Sequence, residues 1–108
     1  MRRAGQAEVY VIWGPYRRYL IPGILELYGF QDRPVISVAD DVFFRYNSSN
    51  YIRVVDQQKV YAVWPDGTKH WLNITPAQWD ASGRDWGAIF IVNEREAAFY
   101  GTGPDITR

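Results

Sequence analysis

The chain has no cysteine, and only one histidine and one methionine among its 108 residues. Without cysteine it forms no disulfide, no thiolate metal site and no thiol nucleophile. A single histidine excludes His-rich zinc sites and most Ser-His relays. We therefore expect no catalytic residue, no bound metal and no cofactor, and we predict that the protein is not an enzyme.

An excess of charge of one sign is also missing, since twelve Lys and Arg balance twelve Asp and Glu. This balance removes the electrostatic attraction that dominates nucleic-acid binding, so we expect no nucleic-acid partner. No apolar run approaches the roughly 20 residues that a membrane span needs. Residues 1–8 lack the apolar stretch of a secretory signal. The sequence thus predicts neither a membrane span nor a signal peptide within this chain.

An internal repeat is the most informative feature that is present. Its matches are Val9-Tyr10-Val11-Ile12-Trp13 with Val60-Tyr61-Ala62-Val63-Trp64, Arg17-Arg18-Tyr19-Leu20 with Lys69-His70-Trp71-Leu72, Gly29 with Gly83, Val35-Ile36-Ser37-Val38 with Ile89-Phe90-Ile91-Val92, and Tyr46 with Tyr100. The matches keep their order at a nearly constant offset, which is typical of a duplication. We predict a single domain, 1–108, with repeats at 9–46 and 60–100 and a linker at 47–59.

Each copy is predicted to fold as a β-hairpin, a helix, a strand and a short helix. Alternating β-branched and aromatic residues predict the hairpin strands, and Asp66-Gly67 is typical of a hairpin turn. Thr75 and Gln78 form a capping-box pattern around Pro76, and Asn93 is a second candidate cap. Residues 34–38 and 88–92 are predicted as buried strands, 51–55 as a further strand and 101–105 as a loop. The fold class is therefore α+β: two tandem ββαβ(α) repeats, β-rich with short helices, that share one core with pseudo-two-fold symmetry.

The second copy, from KVYAVWPDGTKHWLN through FYGTGPDI, resembles a short module that occurs in tandem in bacterial surface and cell-wall-associated proteins. Similar modules occur in small virion and lysis-region proteins of phages of Gram-positive bacteria. The resemblance rests on the Val-Tyr strand, the basic residues after the turn, the helix that ends at Gly83, Asp85-Trp86 and the acidic helix that reaches Tyr100. It implies a non-catalytic attachment or assembly element, and it carries over no catalytic residue.

Aromatic residues make up 17% of the chain. Most of these rings are expected to fill the core, but exposed Trp and Tyr also anchor protein interfaces and stack on sugar rings. The candidate interface or ligand aromatics are Trp13, Tyr16, Tyr19, Trp64, Trp71, Trp79 and Trp86. Arg2, Arg3, Arg17 and Arg18 are a candidate basic interface, although basic residues on a strand edge also block aggregation.

His70 is the one candidate general base. It aligns with Arg18, and we interpret both as solvated basic groups on equivalent strands. The acidic pairs Asp40-Asp41 and Glu94/Glu96 open predicted short helices, where carboxylates favour the helix dipole, so capping explains them better than a metal site.

These observations predict a non-enzymatic structural or attachment protein, most plausibly a minor tail, head or decoration component of a phage virion that binds larger structural proteins. It would act in the virion, or at the cell surface within a larger assembly, with other protein partners or with further copies of itself as a homo-oligomer. The alternative is a carbohydrate or cell-wall binding module of a bacterial surface protein, in which a glycan is the ligand.

Overall fold

A computed structural model describes residues 1–29 and 34–108 of the chain. The chain divides into two compact units, Met1–Ser49 and Asn50–Arg108. The described residues form ten strands in three sheets and four short α-helices, which confirms the predicted β-rich α+β class. Residues 30–33 of the first predicted repeat lie outside the described part.

The first unit is built on a short three-stranded sheet. Its elements are β1 (Arg2–Arg3), β2 (Val9–Trp13), β3 (Tyr16–Leu20), α1 (Pro22–Leu27), β4 (Ser37–Val38), α2 (Asp40–Phe43) and β5 (Asn47–Ser48). The sheet order is β2-β3-β5, with β2 and β3 antiparallel and β5 parallel to β3, while β1 pairs with β4 in parallel. Buried apolar side chains from β2, β3, α1 and α2 form its core, namely Val9, Leu20, Ile24 and Phe43.

A two-residue loop joins β2 to β3. Trp13 pairs directly with Tyr16, so only Gly14 and Pro15 lie between the strands. Gly14 has a φ of 56°, a left-handed conformation that glycine adopts without steric cost. The predicted hairpin is therefore present, with the turn chemistry that the Gly-Pro sequence favours.

The second unit is built on a five-stranded mixed sheet. Its elements are β6 (Tyr51–Val54), β7 (Val60–Val63), β8 (Thr68–Trp71), α3 (Pro76–Ala81), a 3-10 turn (Trp86–Ala88), β9 (Ile89–Val92), α4 (Glu94–Phe99) and β10 (Gly101–Thr102). The strand order is β10-β8-β7-β6-β9, in which β9 and β10 run parallel to their neighbours and the other pairs are antiparallel. The core cluster is Val60, Ala62, Leu72, Trp79 and Ile89.

The turn between β7 and β8 is closed by Gly67, as the Asp-Gly signal predicts. Gly67 donates its backbone N–H to the Trp64 carbonyl at 3.0 Å, with Pro65 at the second turn position. Its φ is 87°, whereas Asp66 keeps a negative φ. The loop thus follows the pattern of a type I turn followed by a glycine in the left-handed region.

Helix α3 begins with the predicted capping box. Thr75 Oγ1 accepts the Gln78 backbone N–H at 3.1 Å, and Gln78 Oε1 accepts the Thr75 N–H at 2.7 Å. Gly83, with a φ of 78°, follows its last turn. The helix buries Trp79 against the sheet, and packing of this kind stabilises a helix of under two turns.

Removing the Thr75 cap is expected to destabilise the second unit. Thr75→Ala leaves the Gln78 N–H without its partner and should lower the free energy of unfolding by about 0.5–2 kcal/mol in urea titrations. Thr102→Ala, an exposed threonine outside any cap, is the matched control and should change it by less than about 0.5 kcal/mol. Equal effects of the two substitutions would contradict the capping role.

Two predicted elements differ from the structure. The buried strand expected at 34–38 is reduced to β4, in which Ser37 is exposed and Val38 half-buried, because its only partner is the two-residue β1. The tail expected to be a loop instead adds β10 to the sheet beside β8, and Ile106 forms a further bridge with Leu72. Polar and glycine-rich composition indicated a loop there, but backbone pairing across the sheet edge decides the structure.

The segment predicted as a linker contributes strands to both units. Asn47–Ser48 forms β5 of the first unit and Tyr51–Val54 forms β6 of the second, the latter as the sequence predicts. Ile52 and Val54 are buried within the second unit, so this segment is a structural part of the sheet.

Candidate functional site

Three of the candidate tryptophans line one cleft of about 530 Å³ in the second unit. Trp71 comes from β8, Trp79 from α3 and Trp86 from the 3-10 turn before β9. Apolar and polar side chains complete the lining, namely Arg53, Gln57, Gln58, Lys59, Val60, Leu72, Ile74, Thr75 and Pro76. Aromatic rings with a few convergent polar groups are the usual composition of a ligand site.

The Trp86 ring is held in one orientation. Its Nε1–H donates to Asp80 Oδ1 at 2.8 Å, and the ring stacks on Trp79 with centroids 4.8 Å apart and planes inclined by 29°. Asp85 accepts the Gly87 N–H and so caps the 3-10 turn that carries Trp86. Since Trp86 is 49% exposed, the cleft has a pre-positioned indole surface open to solvent.

Trp79 lies beneath the Trp86 ring and is buried. It is only 2% exposed and contacts Tyr51 as well as Trp86. Its Nε1 is buried and has no hydrogen-bond partner among residues 1–29 and 34–108. Trp79, a candidate interface residue on sequence grounds, therefore offers almost no surface to a partner and is mainly a core residue.

Two cations lie at the cleft. Lys59 Nζ is 4.4 Å from the centroid of the Trp71 ring, and Arg53 Nη1 donates to the Gln57 carbonyl at 2.8 Å. The second contact bridges the turn that follows β6, in which Asp56 has a φ of 66°. The twelve lining residues include no carboxylate, so the formal charges among them are those of Arg53 and Lys59.

Trp64 lies at the β7–β8 hairpin and covers His70. The two ring centroids are 3.6 Å apart and the planes are inclined by 27°. Trp64 remains 44% exposed, so one part of the indole covers the histidine while another faces solvent. It does not line the cleft that contains the other three tryptophans of this unit.

His70 is a core residue, and the prediction that it is solvated is wrong. Its side chain is 2% exposed. Nδ1–H donates to the Pro104 carbonyl at 2.9 Å, and Nε2 is 2.8 Å from Thr68 Oγ1. Both ring nitrogens are therefore engaged, and burial beneath Trp64 leaves no open site beside the ring for a substrate. The equivalent Arg18 is also buried, at 5% exposure, so its predicted solvation is wrong as well.

Asp66 is linked to His70 through Thr68. Thr68 donates to Asp66 Oδ1 from both its hydroxyl, at 2.6 Å, and its backbone N–H, at 3.0 Å. These two hydrogen bonds stabilise the carboxylate and hold the pKa of Asp66 below its ordinary value, the hydroxyl contributing most. The arrangement fixes the hairpin turn and, through Thr68, the histidine.

The remaining candidate aromatics belong to the first unit. Trp13 ends β2 and is 56% exposed, while Tyr16 and Tyr19 lie on β3 and are half-buried. Tyr19 packs on Tyr10 with ring centroids 5.7 Å apart. Of these three, only Trp13 presents a large exposed ring.

The four candidate basic residues are engaged within the first unit to different degrees. Arg3 forms a bidentate ion pair with Asp40, at 2.7 and 3.0 Å, which holds the pKa of that carboxyl below its ordinary value. Arg17 donates to the carbonyls of Phe43 and Tyr46 and lies over the Phe43 ring. Arg2 is half-buried and Arg18 buried. The charges of Arg3 and Arg17 are thus already used to hold α2 in place.

The acidic pairs occupy the helix starts that the sequence predicts. Asp40 and Asp41 lie in the first turn of α2, and Glu94 and Glu96 in that of α4. Asn93 accepts the Glu96 N–H at 2.9 Å as the helix cap, and the buried Glu96 carboxylate accepts the Tyr100 hydroxyl. Across residues 1–29 and 34–108, no group of three or more His, Asp or Glu side chains is placed to hold a metal ion.

Sequence reasoning missed the polar residues of the cleft. The sequence predicts Gln57, Gln58 and Lys59 only as part of the linker at 47–59, and Arg53 only as part of the strand at 51–55. Their position in the sequence, between two predicted strands, could have indicated them. The turn that they form leads directly into β7, whose first residue, Val60, also lines the cleft.

Comparisons with protein-family models, with curated proteins and with solved structures find no match for this chain. None of the helices in the described part of the chain is both long enough and apolar enough to cross a membrane.

Proposed function

We propose that this chain is a non-enzymatic attachment protein that binds larger structural proteins in an assembly, as small virion components of phages do. The observation that carries the proposal is the set of large aromatic side chains that are about half exposed, namely Trp13, Phe44, Trp64, Trp86 and Phe99. Exposed Trp and Phe are costly in water and are enriched at the energetic centres of protein interfaces.

A non-catalytic role is supported by the absence of a thiol and by the engagement of the one imidazole. The chain has no cysteine, and its one histidine is buried with both nitrogens engaged. The resemblance to tandem modules of phage virion and bacterial surface proteins supports a location in a virion or at a cell surface.

We further propose that the two units are copies of one ancestral module. Strand pairing supports the duplication. The equivalent pairs are Arg2–Ser37 with Arg53–Ile91, Tyr10–Tyr19 with Tyr61–Trp71, and Tyr16–Asn47 with Thr68–Gly101. Each partner of the second unit lies 51 to 54 positions after its counterpart, which are the offsets of the sequence repeat. Pairing of this kind extends the proposed copies beyond 9–46 and 60–100 to nearly the whole of each unit.

A repeated side-chain contact supports the same relationship. Arg17 Nη1 donates to the Phe43 carbonyl in α2, and Lys69 Nζ donates to the Ala97 carbonyl in α4. Arg17 and Lys69 differ by 52 positions, and Phe43 and Ala97 by 54. In both units a basic residue on the second hairpin strand therefore donates to a backbone carbonyl of the unit's second α-helix.

The attachment function predicts that exposed aromatics carry the partner interface. When the chain is co-expressed with head and tail proteins of a phage of a Gram-positive bacterium, we expect co-elution in size-exclusion chromatography. Trp13→Ala or Trp64→Ala should weaken the complex at least tenfold, because interface tryptophans typically contribute about 2 kcal/mol or more. Arg95→Ala, an exposed residue with no aromatic ring, is the control and should not affect it. A chain that stays monomeric and unbound, or a complex that tolerates loss of every exposed ring, contradicts the proposal.

A second candidate function, carbohydrate binding, is favoured by the cleft of the second unit. Trp86 presents an oriented, half-exposed indole there, and Gln57, Gln58 and Thr75 supply groups that hydrogen-bond hydroxyls. This combination of a flat apolar ring and polar side chains suits a sugar better than it suits a purely apolar ligand.

A further inference from the structure

We infer that the cleft of the second unit is a binding site for an acidic glycan, whose sugar ring packs on Trp86 and whose anionic group pairs with Arg53 and Lys59. The inference rests on the carbohydrate-binding candidate and adds the charge of the ligand. Its test is separate from that of the protein-attachment function, which uses Trp13 and Trp64, both outside the cleft.

Charge complementarity is the first argument. Arg53 and Lys59 both line the cleft, and within residues 1–29 and 34–108 neither is paired with a carboxylate. The chain as a whole is neutral, so two cations among twelve lining residues that include no carboxylate are a local concentration of positive charge. The Asp80 carboxylate contacts this lining through the Trp86 Nε1–H. An anionic ligand would complete the pairing that the cleft itself does not supply.

The fixed position of the cations is the second argument. The Gln57 carbonyl holds Arg53 Nη1 at 2.8 Å, which leaves the other guanidinium N–H groups available. Lys59 lies over the Trp71 ring, so its ammonium is held beside an aromatic surface. Both charges are thus held at the cleft before a ligand arrives, which lowers the entropy cost of binding.

The aromatic surface is the third argument, and it favours a sugar over an acidic peptide. Trp86 is fixed by Asp80 and Trp79 and remains half exposed, so it offers a flat apolar surface that does not rearrange. A pyranose ring has a matching apolar face, and its hydroxyls project from the rim. Gln57, Gln58 and Thr75 line the same cleft and can bond those hydroxyls, a need that an acidic peptide side chain does not have.

The test is a titration of the full chain with trigalacturonate, followed by tryptophan fluorescence and calorimetry. We expect saturable binding that weakens with added salt. The fully methyl-esterified trisaccharide keeps the sugar rings and loses the charges, and we expect it to bind at least tenfold more weakly. Triglutamate keeps the charges and lacks the rings, and we expect the same loss.

Variants assign the binding to the cleft. Trp86→Ala and the double variant Arg53→Gln/Lys59→Gln should each lower the trigalacturonate affinity at least tenfold, while Trp86→Phe should retain much of it. Trp64→Ala removes a tryptophan of similar exposure outside the cleft and should leave the affinity unchanged. Circular dichroism of each variant checks that the unit remains folded.

Several results would overturn the inference. Equal binding of the methyl ester removes the role of the two cations and leaves a neutral carbohydrate site. Equal binding of triglutamate assigns the cleft to acidic peptides. No binding of trigalacturonate up to its solubility limit overturns both the inference and the carbohydrate candidate, and leaves the protein-attachment proposal to its own test.

Discussion

Gly103→Ala is expected to destabilise the second unit by about 1–3 kcal/mol, the typical cost of forcing extra atoms into a packed site. A Cβ at this position would lie 2.1 Å from His70 Cε1 and 2.6 Å from Nδ1. The imidazole has little room to retreat, because Trp64 stacks on it and both of its nitrogens are bonded. The clash should exceed the roughly 0.4–1 kcal/mol that Gly→Ala contributes by restricting the unfolded chain. Urea denaturation followed by tryptophan fluorescence measures the difference.

The matched control is Gly101→Ala, two residues earlier in the same segment. Its Cβ would meet only Thr68 Cγ2, at 3.9 Å, an ordinary van der Waals contact. Neither glycine has a left-handed φ, so the available space is what distinguishes the two sites. We expect Gly101→Ala to be neutral or slightly stabilising. In a His70→Ala background the additional cost of Gly103→Ala should nearly vanish, since the ring is gone. Equal costs at the two positions, or no relief in that background, would show that His70 is not packed against Gly103.

The parts of the fold that the sequence predicts are those that local chemistry determines. The Thr75 capping box, the Asn93 cap and the positive φ of Gly67 all involve partners within a few residues. Propensity and capping act over this range, so a single sequence reports them well. The hairpin strands follow for the same reason.

The elements that were missed depend on partners distant in sequence. His70 looked like a solvated base because Pro104, which accepts its Nδ1–H, lies 34 residues later. The C-terminal segment looked like a loop because β10 gains order only by pairing with β8. Burial and edge pairing of this kind are set by tertiary structure, which overrides local composition.

The candidate site was predicted only in part, because its residues are far apart in the sequence. Trp71 and Trp86 were singled out as aromatic candidates, and both line the cleft. The cations that give the cleft its charge were not, since the balanced total hides a local excess. Only the fold brings the turn after β6 to the same cleft as the 3-10 turn before β9.

Trp79→Ala is expected to have the largest effect of any single substitution considered. The side chain is 2% exposed, belongs to the core cluster with Val60, Leu72 and Ile89, and is among the largest fully buried groups. Truncating a buried tryptophan typically costs about 3–5 kcal/mol, through lost burial and the cavity left behind. That is comparable with the whole stability of many small domains, so we expect the second unit to be largely unfolded at ordinary temperatures. Thermal and urea unfolding, followed by circular dichroism, measure this loss.

Trp86→Ala and Trp79→Phe separate burial from aromatic content. Trp86 stacks on Trp79 and is 49% exposed, so its truncation should cost much less than that of Trp79. Phenylalanine at position 79 keeps most of the packing and removes the buried Nε1–H, which is unpartnered in the described part of the chain. Its cost should therefore lie well below that of Trp79→Ala, because an unsatisfied buried donor is itself destabilising. If Trp79→Ala and Trp86→Ala proved equally mild, Trp79 would not be a core residue, and its place as an interface candidate would be restored.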